Sequence, residues 1–245
     1  AGGGGGVEAP EPNHQFKDYW YAGKAEITSY KLEQARYGEL RDGKAVLVYV
    51  TESFLPKVQV KADQKNPKNV SVLKLNATKK FNTGIYPYSI MQSTFYPVAN
   101  NQHALKVSAS IQEWCGQVYT QINNREQFEV TSHSYFEGEA DQNFNLEKAV
   151  LENEIWTQLR INPSSLPIGD FNIIPSLEYI RLKHKPLKVY KAFAEISEGK
   201  YTLSIEELNK TLTINFENNF PFTITSWEET IDGLTTKATK LKNIN

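Results

Sequence analysis

The chain is short of several things that would point to a mechanism. It has one cysteine, Cys115, in 245 residues, which rules out an internal disulfide. Four histidines (His14, His103, His133 and His184) and that single thiol give none of the close paired spacings of a zinc site. No run approaches the roughly 18 apolar residues that cross a bilayer as a helix. Charge of either sign is not in excess: 27 basic and 28 acidic residues leave a formal net charge of −1, with no global basic field to hold nucleic acid. The locally basic Lys57–Lys68 and Lys237–Lys242 read as a solvated loop and a solvated tail. A phosphate loop is missing too, because the only glycine-dense segment is the N-terminal tract, with no strand or Lys–Ser/Thr beside it. No cofactor is expected.

What is present is alternation. Leu105, Val107, Ala109 and Ile111 fall on one face of an extended segment, with Lys106, Ser108, Ser110 and Gln112 on the other. Val46, Val48 and Val50 interleave with Leu47 and Tyr49, a run apolar on both faces and suited to the middle of a sheet. The same period recurs at Val70–Leu75, Phe128–Glu137, Leu212–Phe216 and Phe222–Thr225. Turn signals separate these runs at Asp42–Gly43, Asn100–Asn101, Asn123–Asn124, Glu198–Gly199, Asn218–Asn219 and Asp232–Gly233. Past Cys115–Gly116 the apolar residues Val118 and Ile122 change parity, which predicts a β-bulge or tight bend there. Prolines 163, 167, 175 and 186 set 164–185 apart from the strands. Within it Ser176 is placed to cap a short helix over 177–182, although the same residues suit a short strand.

The fold class that follows is all-β, or mainly β with one or two short helices: a curved antiparallel meander, half-barrel or open barrel. At 12% aromatic residues the chain can pack a full interior, so residues 19–245 read as one domain. Residues 1–18 read as a flexible tether, because AGGGGGVEAPEP joins a glycine tract to a stiffer acidic stretch with prolines. That stretch has no charged n-region or apolar h-region, as after removal of a signal peptide. Such a tether suits attachment through an N-terminal lipid rather than a membrane span. Three N-glycosylation sequons, at Asn69, Asn76 and Asn209, carry little weight in a chain this rich in asparagine.

Candidate site residues are few. Gln112–Gly116 superficially resembles the segment around a papain-like nucleophile, but here Cys115 ends a strand instead of opening a helix. If Cys115 were a nucleophile, His133 would be its base, with Glu113 or Glu137 to orient the ring; a lone cysteine on a strand is more often a small core residue. Glu137, Glu139 and Asp141 lie two apart and would share a face if extended, an arrangement open to calcium or simply to a solvated hairpin end around Gly138. Trp20, Tyr86, Tyr88 and Trp114 are candidates for a ligand or partner surface, since aromatics are enriched at interfaces; burial within the sheet is the alternative.

Tyr30–Phe54, Val72–Val98, Ala104–Gln121 and Ser134–Asp141 (SYFEGEAD) together resemble a Bacteroidota family of secreted or lipid-anchored proteins. The likeness runs from Tyr19 onward. Family members carry lipoprotein labels without an assigned function, and some carry the label of the septum-formation inhibitor Maf. The Ser-x-Ser-Pro-Arg-Arg phosphate motif of true Maf pyrophosphatases is not in this sequence, nor is a strand–loop–helix unit, so that activity is rejected. The C-terminal meander, Tyr201–Leu241, is similar in pattern to the closing strands of periplasmic half-barrels of the lipoprotein-carrier type. Such a half-barrel either holds an apolar ligand in its concavity or fills it with its own chain, for instance 164–185; filling is favoured because cores close on themselves. The resemblance implies the bacterial outer membrane, on its periplasmic or surface-exposed side, and an outer-membrane protein partner. The expected function is a non-enzymatic binding or accessory subunit of an outer-membrane complex. The alternatives are a half-barrel carrier of a lipophilic molecule and a hydrolase built on Cys115 and His133.

Overall fold

A computed structural model describes residues 12–99 and 102–244. In chain order, helix α1 (His14–Trp20) precedes strands β1 (Glu26–Arg36), β2 (Glu39–Leu55), the two-residue β3 (Val60–Lys61), β4 (Val70–Thr83) and β5 (Tyr86–Pro97). Next come β6 (Lys106–Glu113), β7 (Gly116–Asn124), β8 (Phe128–Ser134), β9 (Gln142–Leu146) and β10 (Val150–Leu151). Helix α2 (Glu152–Ile161), strand β11 (Gly169–Ile174) and helix α3 (Leu177–Leu182) follow. The chain closes with β12 (Tyr190–Ser197), β13 (Lys200–Ile205), β14 (Lys210–Phe216), β15 (Ile224–Ile231) and β16 (Leu234–Ile244).

All the strands form one 16-stranded sheet in the order β10-β11-β12-β13-β14-β15-β16-β1-β2-β4-β5-β6-β7-β8-β9, with β3 on β2. Every pairing is antiparallel except the short β10–β11 contact. The sheet is curled but not closed, and its edges are β9 and β10. Its first and last strands lie side by side, Glu33 opposite Lys237, so Lys237–Lys242 is a paired strand and not a solvated tail. The alternation fixes which face turns inward: Ala45, Leu47 and Tyr49 are buried, whereas Val46, Val48 and Val50 are only partly covered on the outer face.

The concavity is filled, as expected, but by more than 164–185. Helix α2 lies inside the curl with Ile155 and Leu159 fully buried and Trp156 edge-on to Trp227 at 5.1 Å. Helix α3 sits beside it, with the Ser176 hydroxyl accepting from the Tyr179 amide at the predicted cap. Helix α1 also departs from the reading of 1–18 as tether. Its Phe16 and Trp20 are buried in the main core, so the chain is already folded from His14. The glycine tract and the Asn100–Asn101 turn lie outside the described residues.

Three turn assignments change, the first being Asn123–Asn124, which ends β7 opposite Phe128 and Glu129 while the chain turns at 125–127. Asp42–Gly43 lies within β2, opposite β4, and the hairpin turns instead at Tyr37–Gly38. Gly43 serves close approach: a Cβ there would stand 2.4 Å from the Lys80 carbonyl oxygen. The parity change at Cys115–Gly116 is a two-residue hairpin, with Glu113 paired to Gly116 and Trp114–Cys115 at the turn. Ile111 opposes Val118 across it, which is why both face the core. Gly116 is required because a Cβ would meet the Tyr135 ring at 2.6 Å.

Candidate functional site

Helix α2 buries charge. Glu152, Asn153, Glu154, Thr157 and Arg160 are all buried, and each ionised side chain meets a partner on the surrounding wall. Arg160 grips Glu26 of β1 in a bidentate pair, both contacts at 2.7 Å, and its Nε donates to the Pro221 carbonyl at 2.9 Å. Its guanidinium lies between the rings of Trp20 (5.1 Å) and Tyr49 (4.7 Å), while the Tyr19 hydroxyl donates to the same Glu26 carboxylate. Burial alone would raise the Glu26 pKa, but the Arg160 and Tyr19 donors outweigh it and hold the carboxyl below its usual value.

At the start of α2, Glu152 accepts from Lys210 of β14 at 2.5 Å, and Lys210 also meets Glu229 of β15 at 3.2 Å. Burial would lower the Lys210 pKa, yet the two carboxylates push it up. Glu152 is raised, chiefly by burial. Glu154 pairs with His103 at 3.0 Å and accepts the amides of Ala104 and Leu151; burial raises it too. Nearby, Lys79 bridges Glu178 of α3 and Gln34, both at 3.1 Å. These contacts pin α2 and α3 to β1, β4, β14, β15 and the segment before β6. Between α2 and the sheet only a cavity of about 60 Å³ remains.

Among the described residues the antiparallel order brings six hairpin ends to one rim: 206–209, Asp232–Gly233, Tyr37–Gly38, Gly84–Ile85, Trp114–Cys115 and 135–141. The ends are sheet neighbours in the order β13–β14, β15–β16, β1–β2, β4–β5, β6–β7, β8–β9, and the first of these tips is polar, with Glu206, Glu207 and Asn209 exposed. The other five carry exposed apolar side chains, among them Tyr37, Ile85, Trp114, Tyr135 and Leu234, with Ile85 85% exposed and Tyr135 69%. The start of β1, with α1 before it, is at the opposite end.

The four aromatic candidates divide. Tyr86 and Trp114 stand exposed on this rim, stacked on each other at 4.6 Å and 22°. Trp20 and Tyr88 are 1% exposed and belong to the core, so they cannot form a surface: α1 carries Trp20 inward, and β5 alternation turns Tyr88 to the inside against Phe81.

Cys115 and His133 are not brought together. His133 pairs with Tyr119, four residues along β7 from Cys115, or about 13 Å at strand spacing. The His133 ring meets Asp141 at 3.0 Å instead, and Glu113 is committed to Arg181 at 2.9 Å. The 135–141 segment is a turn, so Glu137, Glu139 and Asp141 do not share a strand face; Glu139 pairs with His184 at 2.7 Å. Among the described residues no group of three His, Cys, Asp or Glu side chains is close enough to hold a metal.

Sequence reasoning missed the ionic residues of α2 altogether. Two signals were usable: an apolar stripe at four-residue spacing, Leu151, Ile155 and Leu159, and the electrostatics, with Glu152 and Glu154 in the first turn, Arg160 in the last, and Pro163 just beyond.

No family model matches the chain, and no curated protein matches it. Among solved structures, the crystal structure of a beta-barrel-like protein of domain of unknown function DUF1849 from Brucella abortus is similar to it. The match covers 89% of this chain and 96% of that one, with 5% sequence identity and a TM-score of 0.52. At that identity the likeness is one of fold. The protein is thus all-β and barrel-like, with an open sheet wrapped around its own helices.

Proposed function

We propose that the protein is a non-catalytic binding module of the bacterial envelope, an accessory subunit of an outer-membrane complex that meets its protein partner through the hairpin rim. The observation that carries this reading is the rim itself. Adjacent hairpins expose large apolar side chains at their tips, where solvent-facing turns are ordinarily polar. Aromatic anchors of this kind dominate protein interfaces. The first described element, α1, is at the other end, so a lipid anchor upstream of it would present the rim away from its own membrane. The family resemblance supports the lipid anchor and the outer membrane.

The carrier reading gains no comparable support. Ligand pockets usually run to about 300–1,000 Å³, and the cavity left between α2 and the sheet is about 60 Å³. Admitting a lipid chain would mean withdrawing α2 and breaking its pairs with Glu26, His103 and Lys210. The hydrolase reading loses its candidate base, because His133 is paired opposite Tyr119 and its ring meets Asp141.

A photo-crosslinking amino acid at position 114, compared with one at exposed Lys17 at the far end, tests the proposal in the native host. A discrete protein adduct from position 114, absent from position 17 and lost on Ile85→Glu, is the expected result. Equal yields from both positions, or adducts indifferent to Ile85→Glu, would rule out the rim.

A further inference from the structure

The basic segment 56–69, which joins β2 to β4, lies at the end of the molecule opposite the rim, as does α1. Its path is fixed by several contacts. Strand β3 pairs it back onto β2, with Val60 opposite Leu55 and Lys61 opposite Phe54. Between them Gln59 is 1% exposed and held at a φ of +59°. Its side chain donates to the Asn124 carbonyl at 2.7 Å and accepts from the Asn123 amide group at 2.6 Å. The Gln59 carbonyl in turn accepts from Lys106 at 3.1 Å. With Gln59 locked inward, Val58 and Val60 on either side of it stand 63% and 46% exposed.

The charges around these valines are lopsided. Lys57, Lys61, Lys65 and Lys68 are all exposed, and none of them forms an ion pair among the described residues. Asp63 is the one acid of the segment. Helix α1 and the turn after it add Lys17 and Lys24 against Asp18. The 125–127 turn adds Glu126, while its Arg125 pairs with Glu129 at 3.0 Å. Glu198 and Glu217 lie at the same end but on the β12–β13 and β14–β15 connections, away from β2 and β4 in the sheet. Positive charge is thus gathered beside two exposed aliphatic side chains. That combination suits an anionic bilayer, where each lysine near the surface strengthens binding by about fivefold and apolar groups enter the headgroup layer. A nucleic acid would use the lysines and leave the valines in water, and the segment has no arginine or aromatic ring to stack on bases.

We propose that segment 56–69 rests on an anionic phospholipid surface, its four lysines meeting lipid phosphates while Val58 and Val60 enter the headgroup layer. A lipid anchor upstream of α1 would bring the same end to the membrane. The inference nevertheless stands on the segment's own residues and is tested on a chain without lipid.

The test is cosedimentation of the full, unlipidated chain with vesicles of phosphatidylglycerol and phosphatidylcholine in equal amounts, and with pure phosphatidylcholine. Binding to the anionic vesicles that salt weakens, and none to phosphatidylcholine alone, is the expected result. Lys57→Gln with Lys61→Gln should weaken it by about tenfold or more. Val58→Ser with Val60→Ser, which leaves every charge in place, should weaken it by about threefold or more. Lys183→Gln with Lys185→Gln, an equal loss of charge at the rim end, should leave it unchanged. All six positions are exposed, so each variant should unfold at the wild-type temperature. No binding to the anionic vesicles, or an equal loss from the rim pair, would overturn the proposal. So would binding indifferent to the serine pair, and heparin competing for such binding would identify a general polyanion site instead.

Discussion

Replacing Arg160 with methionine should be among the most damaging single changes in this chain. The pair it forms with Glu26 is buried on both sides, with side-chain exposures of 1% and 4%. Losing the guanidinium leaves Glu26 without its counter-charge and the Pro221 carbonyl without its donor. Breaking one side of a buried pair costs about 3–5 kcal/mol. For a domain of this size each kcal/mol shifts the melting temperature by about 2–4 °C, so the loss should be roughly 6–20 °C. Pairing it with Glu26→Leu removes the stranded charge and should recover most of the loss, since well-packed apolar replacements of buried pairs are neutral or better. The pH dependence separates the pair from simple packing. In the wild type the Glu26 pKa is lowered, so its contribution is present above the usual carboxylate range and lost only as pH falls through the lowered value. In Arg160→Met, burial without a counter-charge raises the Glu26 pKa, and acidification relieves the penalty. The gap between variant and wild type should therefore narrow from pH 7 to pH 5. Urea unfolding followed by tryptophan fluorescence at both pH values measures it. A single-variant cost under about 1 kcal/mol, or a double variant as unstable as the single, would refute the claim that a stranded charge is what α2 guards against.

Further outcomes follow from other sites. The raised pKa of Glu154 means that the folded state holds a proton the unfolded chain has released. Stability should fall as pH rises from the usual carboxylate range through the raised value, and Glu154→Gln should flatten that slope in the same unfolding series. Gly43→Ala should cost about 1–3 kcal/mol in thermal unfolding, because the new methyl meets the Lys80 carbonyl oxygen at 2.4 Å and Phe81 Cβ at 2.9 Å, and neither can swing away. Cys115→Ser should change stability by no more than about 0.5 kcal/mol, and native Cys115 should react with a thiol reagent without unfolding, as a partly exposed turn residue does. A loss of several kcal/mol, or labelling only in denaturant, would mean that the thiol is packed.

How much of this was legible depended on whether the physics was local. Strand alternation is a two-residue signal, so β2, β4, β6, β8 and β14 could be read directly, and Ser176 announced α3 through its own cap. Gly43 shows where locality fails. Asp–Gly is a turn signal by itself, yet the reason for this glycine is a carbonyl on a strand nearly forty residues later in the chain. Trp20 and Tyr88 fail in the same way, since exposure is decided by what folds over a residue. Helix α2 is the extreme case. Its buried surface mixes apolar Ile155 and Leu159 with charged groups, so hydropathy alone gives a short and easily missed stripe, and the partners that make burial of the charges tolerable come from Glu26, His103 and Lys210, which are remote in sequence. An apolar plug would be interchangeable with any apolar ligand of similar shape. A plug held by specific ion pairs is not, because each charge left behind on the wall would be unmet. That difference makes the interior a fixed scaffold, held in place by its own charges.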